Sequence, residues 1–546
     1  MRILALAALG WVTALWSCGS DSGGSSPGTG GGGAGGGGTD GGGASGGGGT
    51  GGGGAGGSGG SGGSTAPPPW CSSAKVDAKS CSRADVEAAI GAAAEGATIE
   101  IPAGDCTWTE PLDVTKGVAL RGAGESQTKI TLSGSDGFLN IVGAGGAFRL
   151  TGMAIAGDPS GPVLSLDGKF SALRVDHVTF TNIHELCVMI GYYTWSEDLP
   201  AVRALFDHIT YVNDDEFGFV RTYGKDASWE APDALGDADA IFIEDSSFTW
   251  NVASPGAGAH VNDGEHGARL VVRYNTISNG QLQWHDTGST QQARSTRTVE
   301  LYGNQFTCSV NDCGWGAIGL RGGTGVAFDN KIPIYPGGYE NGAVTQIYRV
   351  DQTGGEPWAN QCDGVIERIC STFRSHCSGG DHRSCGVADE CAGIGTCVDA
   401  CTSDAECPAG ETCLAKFDGH ADATGWPCRD QTGRGMDDPV THEQASSPFY
   451  YWNNTDQNGK PATVTVADAN QDYIKANRDY FEGTASFDGT QGVGSGPVAS
   501  RPAKCSVGVA YWASDEKTLY RCAKADTWEK HFASHPYPHP LAAACP

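Results

Sequence analysis

The sequence predicts an all-β solenoid, and three observations carry that prediction. A short strand-like segment recurs along 148–332, a polar residue recurs in step with it, and one helix-like segment precedes the stack. The repeats read Leu150-Thr-Gly-Met-Ala-Ile155, Val175-Asp-His-Val-Thr-Phe180, Phe206-Asp-His-Ile-Thr-Tyr211, Ile243-Glu-Asp-Ser-Ser-Phe248, Val272-Arg-Tyr-Asn-Thr-Ile277 and Leu301-Tyr-Gly-Asn-Gln-Phe306, with Ala327-Phe-Asp-Asn-Lys-Ile332 a weaker copy. Asn182, Asn213 and Asn279 each stand two residues past the terminal apolar position, which predicts an asparagine ladder. Units of about 20 to 50 residues with one short strand each cannot bury their own apolar face and must stack on one another.

From the start of the chain, Met1-Arg2 and the apolar run to Trp16 read as a secretory signal over 1–17, shorter than the roughly 20 residues a membrane span needs. Leu15-Trp16-Ser17-Cys18 resembles a bacterial lipobox, which implies cleavage before Cys18 and acylation of that cysteine. The residue after Cys18 is not Asp, and by the same resemblance this implies an outer-membrane or cell-surface lipoprotein. An ordinary signal and a secreted protein is the alternative. Residues 18–69 are a Gly-rich linker that cannot form a core. As a flexible coil it reaches roughly 40 Å.

The formal charge is −28 and the sequence pI about 4.7. That argues against nucleic acid as a partner, and it requires local cations wherever a polyanion binds. Twenty cysteines in an exported chain predict disulfides. With Cys18 acylated an odd number remains, and Cys187, inside Leu186-Cys-Val-Met-Ile190, is the expected free and inert thiol.

Asp85-Val-Glu-Ala-Ala-Ile90 has an amphipathic helical pattern. It is followed by Gly96-Ala-Thr-Ile-Glu-Ile-Pro-Ala-Gly104, Val118-Ala-Leu-Arg-Gly-Ala-Gly124 and Thr128-Lys-Ile-Thr-Leu132. A capping helix followed by these motifs resembles the opening of pectate-lyase-like proteins. The resemblance implies a right-handed parallel β-helix and covers 83 to about 335. It does not fix an activity, because the same architecture carries unrelated functions. The β-helix is expected over 70–361, with a return over 429–500. Segments 184–203, 214–239, 252–268 and 281–297 are expected as loops emerging on one side.

Between these lies a cysteine-rich insertion, 362–428, holding Cys362, Cys370, Cys377, Cys385, Cys391, Cys397, Cys401, Cys407, Cys413 and Cys428. It lacks paired CxxC knuckles, so disulfides are expected there and not zinc. The last part, 501–546, reads as a small β module closed by Cys505 and Cys522.

Alternation along the strands places Asp176, Asp207, Glu244, Arg273 and Tyr302 outward in one column. Stacked carboxylates need a compensating charge. Calcium on Asp176, Asp207 and Glu244 is one solution, and arginines are the other. Carboxylates on adjacent coils resemble the calcium plan of pectate-lyase-like enzymes. A second concentration gathers His260, Asp263, Glu265, His266, Arg269, Arg273, His285, Asp286, Arg294, Arg297 and Glu300, with Arg321 on the next coil.

This concentration suits β-elimination on a uronate chain. Such a reaction needs a cation on the carboxylate, a base for the C5 proton and an acid for the leaving oxygen. The expected catalytic set is His266, His285, Arg269, Arg273, Arg297, Tyr302 and Glu300. His260, Asp263, Trp284, Asp286, Arg294 and Arg321 are expected on the substrate. The function expected is therefore a polysaccharide lyase, acting as a monomer. A glycoside hydrolase, which needs two carboxyl groups, and a non-catalytic carbohydrate-binding adhesin are the alternatives.

Overall fold

The computed structural model describes residues 68–546 except 72–73, 135–138, 192–202, 254, 256–257, 285–293, 312, 315, 336–344, 348–367, 371–375, 381, 383–384, 386–390, 394, 399–400, 416–429, 439–443, 467–470, 472–473 and 546. The signal, Cys18 and the linker therefore lie outside the described residues, as do Cys362, Cys428, His285 and Asp286.

The chain is a right-handed parallel β-helix. A large sheet of 17 strands runs the length of the stack, and a six-stranded sheet flanks it. A four-stranded sheet takes over from the latter at Leu282–Gln283. Val175, Phe206, Ile243, Val272, Leu301 and Ala327 pair from coil to coil in parallel register and are buried. The helix Arg83–Ala92 covers the first coil with Val86, Ala89 and Ile90, and the Ser82 side chain accepts from the Asp85 amide at its N-cap.

Each repeat bends at one residue. Gly152, His177, His208, Asp245, Tyr274, Gly303, Asp329 and Asn453 all have φ between 49° and 72°. Left-handed backbone is tolerated by Gly, Asn, Asp and His, the types that dominate this row.

The asparagine ladder exists, but four residues earlier in the repeat than the sequence suggested, at Asn275 and not Asn279. Asn182, Asn213 and Asn279 share a register position, but Trp250 interrupts them there. The continuous ladder runs Asn275, Asn304, Asn330 and Asn454, each Nδ2 donating to the next Oδ1 at 3.1, 3.0 and 2.8 Å. These residues directly follow the left-handed corner, which turns their side chains into the core.

The expected loops also change character. Val188–Ile190, Val220–Tyr223, Asn262–Glu265 and Leu282–Gln283 are strands of the flanking sheets inside them. Polar Asn262-Asp-Gly-Glu265 has no apolar alternation by which a strand could be recognised.

Disulfides join Cys370–Cys407, Cys377–Cys391, Cys385–Cys397 and Cys401–Cys413 within the insertion, and Cys505–Cys522 in the last module. Cys187 is free and buried. Cys71–Cys545, Cys81–Cys106 and Cys308–Cys313 are further bonds that spacing did not suggest.

The C-terminal module has strands Val493–Gly496, Ala510–Ala513, Thr518–Lys524 and Thr527–Ala533. It lies on the outer face of the large sheet. Val509, Trp512, Leu519 and Phe532 form one apolar cluster with Leu205, Phe242, Val271, Tyr302, Phe328 and Trp452.

Candidate functional site

The outward column is in the expected register: Asp176 pairs with Asp207, then Glu244, Arg273 and Tyr302. It does not face solvent. All five side chains are buried, because the C-terminal tail lies across them. Arg273 donates to the carbonyls of His535 and Pro536 at 2.8 and 2.9 Å, Arg174 donates to that of Leu541 at 3.1 Å, and the His539 amide donates to Glu244 at 2.9 Å.

Arginines neutralise the stack. Arg149 grips Asp176 through Nε and Nη2, both at 2.6 Å, and Thr151 donates to the same carboxylate at 3.0 Å. Arg174 grips Asp207 at 2.7 Å twice, and Arg273 Nε reaches Glu244 at 2.6 Å. Burial pushes the Asp176 carboxyl up, but the Arg149 bonds and the Arg174 charge outweigh it and hold it low. These residues do not fit a calcium site, since their oxygens are already committed to guanidinium, hydroxyl and amide donors. Arg273 and Tyr302, expected in the catalytic set, are buried here and bond each other, with Arg273 also bonding the tail. Further along, the column becomes aromatic: Tyr302, Phe328 and Trp452 stack at 4.7 and 4.5 Å.

Arg294 and Arg297 likewise hold the chain to itself. Arg294 bonds Asp430 at 2.8 and 2.6 Å and Asp437 at 2.8 and 3.1 Å. Arg297 bonds Asp233 at 2.5 Å. Both guanidinium groups lie 4.8 Å from the Trp229 ring. They fasten the 224–240 connection, and Arg294 also fastens the segment after the insertion. Both are buried, where Arg294 was expected on the substrate and Arg297 in the catalytic set. Trp284 is fully buried in the solenoid core and is no sugar platform. Arg269 is half-buried and donates to the Pro232 carbonyl at 3.0 Å. Glu300 sits in an apolar register row between Val271 and Val326. Burial raises its pKa to about 7, against one bond from the Gly236 amide at 2.6 Å.

What remains of the expected cluster assembles on the flanking sheet. Asp263 and Glu265 stand two apart on one strand, so their side chains share a face. Arg221, one coil earlier, is paired in register with Asp263. Its guanidinium forms an ion pair with Glu265, stands 3.8 Å from Asp263 and lies 5.6 Å from the Tyr223 ring. Tyr223 is 5.4 Å from His266, whose Nδ1 faces Asp226 at 3.2 Å. Arg221 and Asp226 reach solvent, with side chains 26% and 37% exposed, while Asp263, Glu265 and His266 are buried. His260, in the next bridge position to Gln281, is buried over Gly218. Arg321 follows the strand Ile318–Leu320 and is half-buried.

Sequence reading missed Arg221, Tyr223 and Asp226 because they fell in an expected loop. The alternation Phe219-Val-Arg-Thr-Tyr223 was the available signal.

No family model matches the chain, and no curated protein matches it. Among solved structures it is similar to an alginate lyase from Paenibacillus sp. str. FPU-7, with 12% identity and a TM-score of 0.23 over 47% of this chain and 95% of the other. It is also similar to the PL6 family polysaccharide lyase Pedsa3628 from Pseudopedobacter saltans, with 12% identity and a TM-score of 0.26 over 52% and 86%.

Proposed function

We propose that the chain is an exported polysaccharide lyase acting on uronate-containing polymers by β-elimination, held at the cell surface through Cys18. Eight disulfides among the described residues support an oxidising compartment.

The observation that carries the activity is Arg221. It is a partly exposed cation set against buried carboxylates, with a phenol and an imidazole beside it. Arg221 takes the uronate carboxylate, which acidifies the C5–H bond. His266 is buried and donates Nδ1–H to Asp226, and the partly exposed Asp226 carboxylate that it holds in place accepts the C5 proton. The C–H electron pair becomes the C4–C5 double bond, the C4–O bond breaks, and Tyr223 protonates the leaving oxygen.

Incubation with a panel of uronate polymers should produce the ultraviolet absorbance of an unsaturated uronate. Reducing ends without that absorbance would replace the lyase with a hydrolase, and binding without either would replace it with an adhesin. His266→Ala is expected to abolish the signal on whichever polymer responds.

A further inference from the structure

Asp226 opens the short helical turn Asp226–Glu230, and the main chain of Arg294 holds both this carboxylate and His266. The Arg294 amide donates to Asp226 Oδ1 at 3.4 Å, and the Arg294 carbonyl accepts from the His266 amide at 2.7 Å. One residue thus brackets the two side chains that meet at 3.2 Å. Ser295 continues the contact, since its carbonyl accepts from the Gly267 amide at 2.9 Å and from the Trp229 indole at 3.2 Å. Gly267, at φ 71°, lies so close to Ser228 and Lys225 that a Cβ would strike both, so the helical turn seats directly against the residue after His266.

What fixes Arg294 comes from far along the chain. Asp430 and Asp437 take its guanidinium with four bonds of 2.6 to 3.1 Å, and they stand where the chain resumes after the cysteine-rich insertion. Asp430 is itself locked: its carbonyl accepts from the Gly323 amide at 2.9 Å, and Gln444 Nε2 donates to its carboxylate at 2.7 Å. Charge balance does not require Asp437, because Asp430 alone offsets the guanidinium and a second buried carboxylate adds a desolvation cost. Its effect is geometric. Two carboxylates on all three guanidinium nitrogens leave the planar fork no freedom to rotate. Trp229, three residues after Asp226 and buried, carries the Arg294 and Arg297 guanidinium groups on its ring, so the same clamp also seats the turn that bears the base.

We infer that Arg294 is a positioning residue for the Asp226–His266 pair and that Asp430 and Asp437 act through it. The segment that follows the cysteine-rich insertion therefore sets how the base is aimed. This inference rests on the elimination reading given above. A clamp that served only to hold the 224–240 connection down would need neither main-chain bond to the pair. Misplacement of a reacting group by about 1 Å costs on the order of 10²-fold in rate.

The test is Asp437→Asn in the full chain, which leaves Arg294 paired with Asp430 and no charge unpaired. On the responding uronate polymer kcat should fall at least tenfold while KM stays within twofold. Trp229→Leu, which removes the ring without touching a charge, should act in the same direction, and Trp229→Phe should recover most of the loss. Asp207→Asn loosens a comparable buried clamp on the large sheet, leaves Arg174 beside Asp176, and should keep kcat within twofold. Histidine-selective nitrogen spectra of the substrate-free protein give a second readout. An ionised Asp226 only accepts, so His266 Nδ1 carries hydrogen in the wild type, and Asp437→Asn should mix in the other tautomer while Asp207→Asn should not. Unchanged kcat with unchanged His266 nitrogens in Asp437→Asn, a raised KM at constant kcat, or an equal loss in Asp207→Asn would overturn the positioning role. If the wild type turns over no uronate polymer, the elimination reading fails, and the His266 spectra alone decide whether Arg294 positions the pair.

Discussion

Arg273 Nε stands 2.6 Å from Glu244 Oε2 with neither side chain exposed, and both also bond the tail that covers them. A buried ion pair contributes little over an apolar replacement, but half of one is costly. Arg273→Met should therefore destabilise by about 3–5 kcal/mol in denaturant unfolding, because Glu244 would be left charged and unpaired. Arg273→Met with Glu244→Gln should recover most of that loss, and a double variant no more stable than the single would refute the pairing.

Glu300 gives stability a pH dependence of predictable sign. Its folded pKa, raised by burial to about 7, lies above the ordinary glutamate value of 4.5. The folded chain thus holds a proton that the unfolded chain releases. Its contribution is fully present below about pH 4.5 and is lost as pH rises through 7. The loss is on the order of 3 kcal/mol. Glu300→Gln should flatten the unfolding free energy between pH 5 and 8, measured against wild type in the same buffers.

Tyr223→Phe removes one hydroxyl and no ring. If Tyr223 is the acid, kcat should fall by roughly 10²–10⁴ while the thermal midpoint stays near that of wild type. Arg221→Lys keeps the charge and loses the planar fork, so its main effect should be a raised KM.

Of the two solutions open for Asp176, Asp207 and Glu244, calcium or arginine, guanidinium groups do the charge compensation. Prior treatment with a chelator should leave uronate turnover unchanged, and restoration by added calcium after such treatment would contradict this.

Cys71–Cys545 spans 474 residues and anchors the tail that lies across the large sheet. In the chain-entropy account, a bond closing so long a loop stabilises by about 5 kcal/mol. Cys71→Ser with Cys545→Ser should lower the unfolding midpoint, and hydrogen exchange should quicken first at the His539 amide, which bonds Glu244.

Much of the fold was legible. The Val175, Phe206, Ile243, Val272 row predicted the core register, and with it the Asp176, Asp207, Glu244, Arg273 column. The Cys505–Cys522 bond and the free Cys187 could also be read directly. The site was less legible. Asn262-Asp-Gly-Glu265 carries no apolar residue to announce a strand, and the short alternation Phe219-Val-Arg-Thr-Tyr223 stood inside an expected loop, so Arg221 and Tyr223 passed as loop. Arg294 and Arg297 resembled substrate ligands because their partners Asp430, Asp437 and Asp233 are far away in sequence.

The sequence alone determined the coil, because strand alternation and the left-handed corner are local properties of a few adjacent residues. Tertiary structure decided which outward side chains meet solvent. Covering depends on what returns to a surface: the tail after Phe532 buries Arg273 beside Glu244, while His177 and His208, on the same coils as Asp176 and Asp207, stay in water. No local pattern records that difference, since it arises from contacts between segments about 260 to 370 residues apart.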